Sequence, residues 1–332
     1  MVNRVRVFRG EELESEHVVH AVVAGLPGGA MAVGDPGLVT YWRSAMKPFQ
    51  VVPLVRDGGA AAADFGQAEL ALACASHGGT DRHVDLARGM LDRLGLDESA
   101  LACGPHKPYD REAADALVRE GRVPSRLHNN CSGKHSGILA LCQQHGWDSA
   151  GYQEYDHPAQ RRVRSSMAEW VDSDPESWFW APDGCGVPTP KLALAEMARA
   201  FSRLMLSAKQ DEAAGTVVEA MTDRPLLTSA QGRVPLTIMQ ATGGRLLAKE
   251  GAEGVLCVAA TDDSWGLALK IMDGSLRGTG PAAVEFLCAL DLLRPDETER
   301  LSGLRAPPLI NTRGEAVGRL EAVLRPVPVG SG

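Results

Sequence analysis

The feature that most restricts what this chain can fold into is where its strand-forming segments lie. Short Val-rich stretches, VRVFRG, HAVVAG and GLVTYW, fill the first 45 residues, and the same pattern returns late in GGRLLAKEGAEGVLCVAATDDSWGLALKIMDG. β-Branched residues in short runs mark strands, and the Gly and Pro between them mark turns. VLCVAA and GLALKIMDG read as hairpin partners joined by the polar turn TDDSW. The middle is different. FQVVPLVRDG, DFGQAELALACASH, DRHVDLARGMLDRLGL, KHSGILALCQQHGW, PAQRRVRSSMAEWVDS, KLALAEMARAFSRLM and EAAGTVVEAMTDRP carry apolar residues at three-to-four spacing, the mark of amphipathic helices. The expected fold is α/β, a mixed sheet with packed helices, in which strands from both ends of the chain share one sheet. With 332 residues, 44% of them hydrophobic, residues 1–332 suit a single catalytic unit, with two closely packed lobes as the alternative. No repeat or low-complexity linker divides the chain, and only the final PVPVGSG reads as loose enough to fray.

Charge and cysteine usage narrow the function. A formal net charge of -8 argues against nucleic acid as a partner, because phosphate binding needs a clustered excess of Lys and Arg. The opening MVNRVRVFRGEELESEHVV is charged throughout and reads as a first strand, not as the apolar core of a signal peptide. No apolar run approaches the roughly 20 residues that a bilayer span requires. A soluble cytoplasmic protein with no membrane association is therefore expected. The seven cysteines are odd in number, widely spaced and mostly in apolar surroundings, which suits a reducing compartment and leaves one or two as metal ligands.

Four constellations carry candidate chemistry. Ser44-Ala-Met-Lys47 lies where a strand ends and a helix starts; residues three apart share a helix face, so the amine can reach the hydroxyl and act as its base. Pro48 costs nothing in the first helical turn. The same residues also suit a plain helix cap with a solvated lysine. Cys74-Ala-Ser76-His77-Gly78-Gly79 closes a helix with residues small enough to let backbone approach a ligand, or simply forms a C-cap. His128-Asn-Asn-Cys131-Ser-Gly-Lys134-His135, with Asp183-Gly-Cys185-Gly later, brings two thiols, a carboxylate and two imidazoles into glycine-rich segments that suit one zinc ion, or buried structural cysteines. The phosphate-loop frame around Gly133-Lys134 is incomplete, which argues against nucleotide binding. Lys270, inside an otherwise apolar strand, must snorkel out or point into a polar site.

Together RSAMKPFQ, CASHGG, HNNCSGKHSG, DGCG, EGAEGV and LALKIMDG occur in the order and rough spacing of the zinc-containing asparaginase II family of the Rhizobium etli type, which this chain resembles over roughly residues 5 to 320. The resemblance implies a fold similar to serine β-lactamases and glutaminases, and an L-asparaginase acting as a homodimer. It implies two Ser-Lys pairs lining one cleft, Ser44 with Lys47 and Ser76 with Lys270, and zinc held by Cys131, Lys134 and Cys185. Arg43, His77 and Asp183 are the substrate-binding side chains it points to. Thr80 departs from the family, which is expected to carry an acid there. Alternatives kept open are a glutaminase, a β-lactam or peptide hydrolase on the same scaffold, and a non-catalytic zinc-binding protein. Two other echoes are set aside: Thr242-Gly243-Gly244 lies too late for the threonine motif of bacterial-type asparaginases, and Thr216 sits in an ordinary apolar helix stripe with Val217, Val218 and Met221.

Overall fold

The computed structural model describes residues 3–330 and falls into two compact units. One is formed by the chain up to Ala45, by Leu192–Met205 and by the chain from Thr237 onward; the other by Met46–Lys191 and Leu206–Leu236. In chain order the strands are β1 (Arg4–Arg9), β2 (Glu12–Ala24), β3 (Met31–Val33), β4 (Val39–Tyr41), β5 (Phe179–Pro182), β6 (Pro188–Ala193), β7 (Leu246–Gly251), β8 (Val255–Ala260), β9 (Gly266–Ile271), β10 (Pro308–Ile310), β11 (Ala316–Val323) and β12 (Val327–Pro328).

The first unit is built on a sheet ordered β10-β11-β1-β2-β9-β8-β7, with β3 on β2 and β12 on β3. Strands from both ends of the chain do meet in it: β1 pairs with β11, and β2 pairs with β9 with His20 opposite Lys270. These pairings are antiparallel, so the mixture lies in strands and helices and not in strand direction. The expected hairpin forms, with Val255 opposite Lys270. Its strands and β7 are buried along their whole lengths, which fits their near-continuous apolar sequence. Full burial of a side chain such as Leu256, Leu267 or Leu269 contributes about 1.5–3 kcal/mol against chain entropy. Helix Thr279–Ala289 packs on β1, β8, β9 and β11. The tail is a correction: Val327 and Pro328 pair with Ala32 and Met31, and the Val329 N–H donates to the Ala30 carbonyl at 2.8 Å. A proline is tolerated there because β12 is an edge. The last two residues of PVPVGSG lie outside the described residues.

The second unit is helical. Helices Lys47–Arg56, Gln67–Ala73, Ser132–His145, Pro158–Val171 and Glu212–Asp223 pack around a common core, and β5 with the Pro188–Lys191 part of β6 adds a short antiparallel ladder. Two glycines decide how closely the helices approach. A Cβ on Gly133 would sit 2.5 Å from the Leu72 carbonyl oxygen, and one on Gly137 would press on Leu54 and Ala73 at 3.3 and 3.4 Å. The Ser-Gly-Lys-His-Ser-Gly run is therefore the first turn and a half of a helix that starts at Ser132, two residues before the expected KHSGILALCQQHGW helix, and whose glycine face lies on Gln67–Ala73. Among the described residues no helix is long and apolar enough to cross a membrane.

Candidate functional site

Lys47 opens helix Lys47–Arg56 with Pro48 behind it in the first turn, as the motif requires. Its side chain is 1% exposed. The amine donates to the Ala75 carbonyl and to the Ser76 hydroxyl, the latter at 3.2 Å. Ala75 and Ser76 follow directly on the end of helix Gln67–Ala73, which Gly133 lets settle against helix Ser132–His145. A buried neutral amine finds a carbonyl and a hydroxyl here as its hydrogen-bond partners. The hydroxyl's proton and the amine's lone pair are then within exchange distance whenever the lysine is neutral. Ser44 lies half-buried in the 3₁₀ turn Arg43–Met46 that precedes the helix. The helix N-cap is Met46, with no side-chain cap bond, so Ser44 does not serve as the cap. Arg43 holds a left-handed backbone, φ 54°, which a non-glycine residue adopts at a cost of about 1–3 kcal/mol and which clusters at functional sites. Gly251 makes room for this turn: a Cβ there would meet the Trp42 carbonyl at 2.8 Å.

Cys131, Lys134 and Cys185 converge. The Lys134 amine donates to Cys185 Sγ at 2.8 Å, and the Cys131 thiol donates to the same sulfur. All three are buried. The hydrogen bond to Cys185 pushes the Cys131 thiol up to about 12, with burial adding to it. The Cys131 hydrogen bond and the Lys134 ammonium outweigh burial and hold Cys185 well below the usual thiol range. Burial opposes the charge on Lys134, but the two sulfurs and Asp183 raise it above the ordinary lysine value. These shifts favour charge on Lys134 and Cys185 and the protonated thiol on Cys131. Asp183 shapes the loop that brings Cys185 in: its carboxylate accepts from Gly184 N–H at 2.7 Å and its carbonyl from Gly186 N–H at 2.8 Å.

Two sulfurs and an amine form a donor set that zinc accepts once the lysine is neutral, which a divalent cation can impose. Among the described residues no group of three His, Cys, Asp or Glu side chains converges, so the third protein donor would have to be Lys134. The two imidazoles of the motif are engaged elsewhere. His135 Nδ1 lies 2.6 Å from the Tyr152 hydroxyl, and His128 Nδ1 accepts from Ser125 N–H at 3.0 Å.

A second layer of histidines includes His77, expected to bind substrate; its packing role was not legible in the sequence. His77 is fully buried, with Gly79 N–H donating to Nδ1 at 3.1 Å, so its Nε2–H donates to Ser132 Oγ at 2.9 Å. Both nitrogens are taken, and the ring braces the start of helix Ser132–His145. It stacks on His83, centroids 5.0 Å apart and planes 12° from parallel. His83 Nε2 faces the Leu226 carbonyl at 3.0 Å and must carry the proton, so Thr80 donates its hydroxyl to Nδ1 at 2.6 Å. Burial, more than the neighbouring cations, lowers His77 and His135 well below the ordinary histidine value, and burial also lowers His83. All are neutral near pH 7.

Lys270, in the first unit, is 8% exposed and donates to the Glu253 carbonyl. Burial lowers its pKa from the ordinary lysine value; Glu253 and Asp273 oppose that shift and Arg43 adds to it. The four residues expected in two Ser-Lys pairs thus divide between the units, Ser44 and Lys270 in one, Lys47 and Ser76 in the other. The described contact within a unit is Lys47 with Ser76. The seven cysteines are all free, six of them buried.

Two comparisons with known proteins bear on this arrangement. The family model described as L-asparaginase II matches residues 5–322. A search of curated proteins finds no match.

Proposed function

The chain belongs to the L-asparaginase II family, and on that premise we propose that it hydrolyses the side-chain amide of L-asparagine to L-aspartate and ammonia through a serine nucleophile. The match over residues 5–322 carries the reaction class, since membership supports asparagine amidohydrolase activity in general. Within the proposal, Ser44 Oγ attacks the amide carbon while Lys47 takes the hydroxyl proton and passes it to the departing ammonia. The carbon–nitrogen bond breaks, leaving an aspartyl ester, and water then cleaves the ester and restores the serine. Ser76, polarised by Lys270, relays protons or contacts the oxyanion, and backbone N–H groups near Ser44 stabilise the tetrahedral charge. The buried amine of Lys47 on the Ser76 hydroxyl supports serine-lysine chemistry.

Cys131, Lys134 and Cys185 would hold zinc, with Asp183 beside them. The ion would supply a fixed positive charge for the α-amino or α-carboxylate end of the substrate, with Arg43 as a second anchor. His77 belongs to the support of this layer through Ser132. The proposal includes a homodimer in the cytoplasm.

The test is ammonia release from L-asparagine and, separately, L-glutamine by the wild type and Ser44→Ala. Preferential consumption of asparagine by the wild type, with loss of about 10⁴-fold or more in the variant, supports the reaction and the nucleophile. No ammonia from either protein would leave a zinc-binding scaffold without this catalysis.

A further inference from the structure

Ala252-Glu253-Gly254 forms the turn between β7 and β8, and its role in the chemistry is unassigned by the proposal above. Glu253 has φ 62° and Gly254 φ 72°, so both residues are left-handed. Consecutive left-handed residues suit a tight hairpin turn, for which Asn and Gly are the usual choices because a longer side chain gains nothing from the turn itself. A glutamate there needs another reason.

Its surroundings supply one. The Glu253 carbonyl, swung round by the left-handed backbone, accepts the Lys270 amine. Gly254 clamps the end of the lysine's strand: its carbonyl accepts Ile271 N–H at 2.9 Å, and a Cβ on it would lie 2.9 Å from the Ile271 Cβ. The Glu253 carboxylate lies across Gly274, where an added Cβ would sit 2.5 Å from Oε2. Gly274 also has φ 79° and could not be a larger residue without displacing that carboxylate.

The titratable and charged groups facing Lys270 within this unit are His20, opposite it on β2 with Nδ1 accepting Asp35 N–H at 2.8 Å, Glu253 from the β7–β8 turn, Asp273 from the end of β9 and Arg43 from the turn after β4. Asp273 is already committed. Its Oδ2 lies 2.5 Å from His17 Nδ1, its Oδ1 accepts Ser275 N–H at 3.0 Å, and Arg277 Nε donates to the other His17 nitrogen at 2.8 Å. No hydrogen bond or ion pair engages the Glu253 carboxylate among the described residues. Of the two acids it is the uncommitted one.

We infer that Glu253 is a positioning residue for Lys270: its left-handed backbone turns a carbonyl onto the amine, and its carboxylate, seated on Gly274, balances the amine's charge. This rests on the proposed role of Lys270 in the reaction. The amine, free to donate elsewhere, would otherwise have no fixed direction at the end of a strand.

The experiment measures the pH dependence of amine labelling at Lys270, read by mass spectrometry of the intact protein's digest, alongside the pH profile of asparagine hydrolysis. Glu253→Gln removes the charge and keeps the shape. The labelling midpoint and the acid limb of kcat/KM should both move to lower pH by about one unit, because loss of a nearby negative charge makes the ammonium easier to deprotonate. Glu253→Gly, which takes the left-handed backbone freely, should match Glu253→Gln. Glu253→Val, β-branched and unsuited to positive φ, should lose about a further tenfold in kcat with little change in KM. An unmoved labelling midpoint in Glu253→Gln overturns the inference, as does full kcat in a folded Glu253→Val protein. A moved midpoint with an unmoved activity profile upholds the positioning and instead removes Lys270 from the catalytic proposal.

Discussion

Lys47 and Lys270 are the same residue type, both nearly buried, yet their neighbourhoods hold them by different physics. Lys47 sits in a helical unit against a carbonyl and a hydroxyl, with a layer of neutral histidines behind the serine-bearing loop. Lys270 sits on a sheet, one end of a balance among two carboxylates and a guanidinium. The first amine is placed by packing, which is precise at short range and insensitive to salt; the second is placed by charge, which reaches further and responds to pH and substitution. The lesson is that one sequence pattern, a lysine near a serine, does not fix how the amine is tuned.

Removing each amine has the largest expected effect. Lys47→Met and Lys270→Met should each lower kcat by about 10²–10⁴-fold if both take part in proton transfer. Added primary amine should restore part of the Lys270→Met loss, and steady-state ammonia release checks both. Equal rescue of the two variants would erase the distinction. Next, Gly133→Ala drives a methyl into the Leu72 carbonyl and shifts the helix that leads to Ala75 and Ser76. It should cost about 1–3 kcal/mol in urea denaturation, whereas Gly184→Ala, with open space around it, should be near neutral.

The buried histidines answer to pH. His77 and His135 are held neutral by burial, with pKa values well below the ordinary 6.5. Their depressed values mean that the unfolded chain takes up protons that the folded chain refuses. The associated stability is complete above about pH 6.5 and falls by about 1.4 kcal/mol per pH unit per histidine as the pH drops below that, until each folded pKa is reached. Thermal melts between pH 7.5 and about 5 follow it, and a flat midpoint across that range would contradict neutral burial. The smallest effect is expected from Thr80→Val. It leaves His83 Nδ1 without its donor and should destabilise by about 1 kcal/mol, read from the shift in denaturation midpoint.

The candidate site was partly legible in the sequence for identifiable reasons. Strand-like Val runs at the two ends announced β1, β2, β8 and β9 because a half-buried or buried strand has a short-range signature. Pro48 located the helix start beside Lys47 for the same kind of reason. The closeness of Cys131, Lys134 and Cys185 rested on resemblance, since nothing in a spacing of 51 residues between Lys134 and Cys185 dictates contact. The Lys47–Ser76 hydrogen bond spans 29 residues and depends on helix packing, so no local pattern announced it. Gly133 and Gly137 set how closely two helices approach, a role that a glycine in the sequence does not reveal. The β12 pairing was missed because two residues, one a proline, carry almost no periodicity. Thr80 shows what a departure does. An ionised acid there could not donate to His83 while Leu226 holds the ring's other nitrogen, so the hydroxyl preserves a neutral imidazole that a carboxylate would disturb.

The pairing of β1 with β11, in which Arg4 faces Val323, has a consequence for how the chain is made. A ribosome delivers β1 and β2 first, but their neighbours β9 and β11 only after the whole helical unit has been synthesised. The early hairpin must wait with its outer backbone groups unpaired, and such waiting edges recruit other strands. The helical segments, whose contacts span shorter stretches of chain, can settle during that delay. Birth order thus makes the sheet the late and vulnerable step, and slower translation before β7 would lengthen the exposure of β1 and β2.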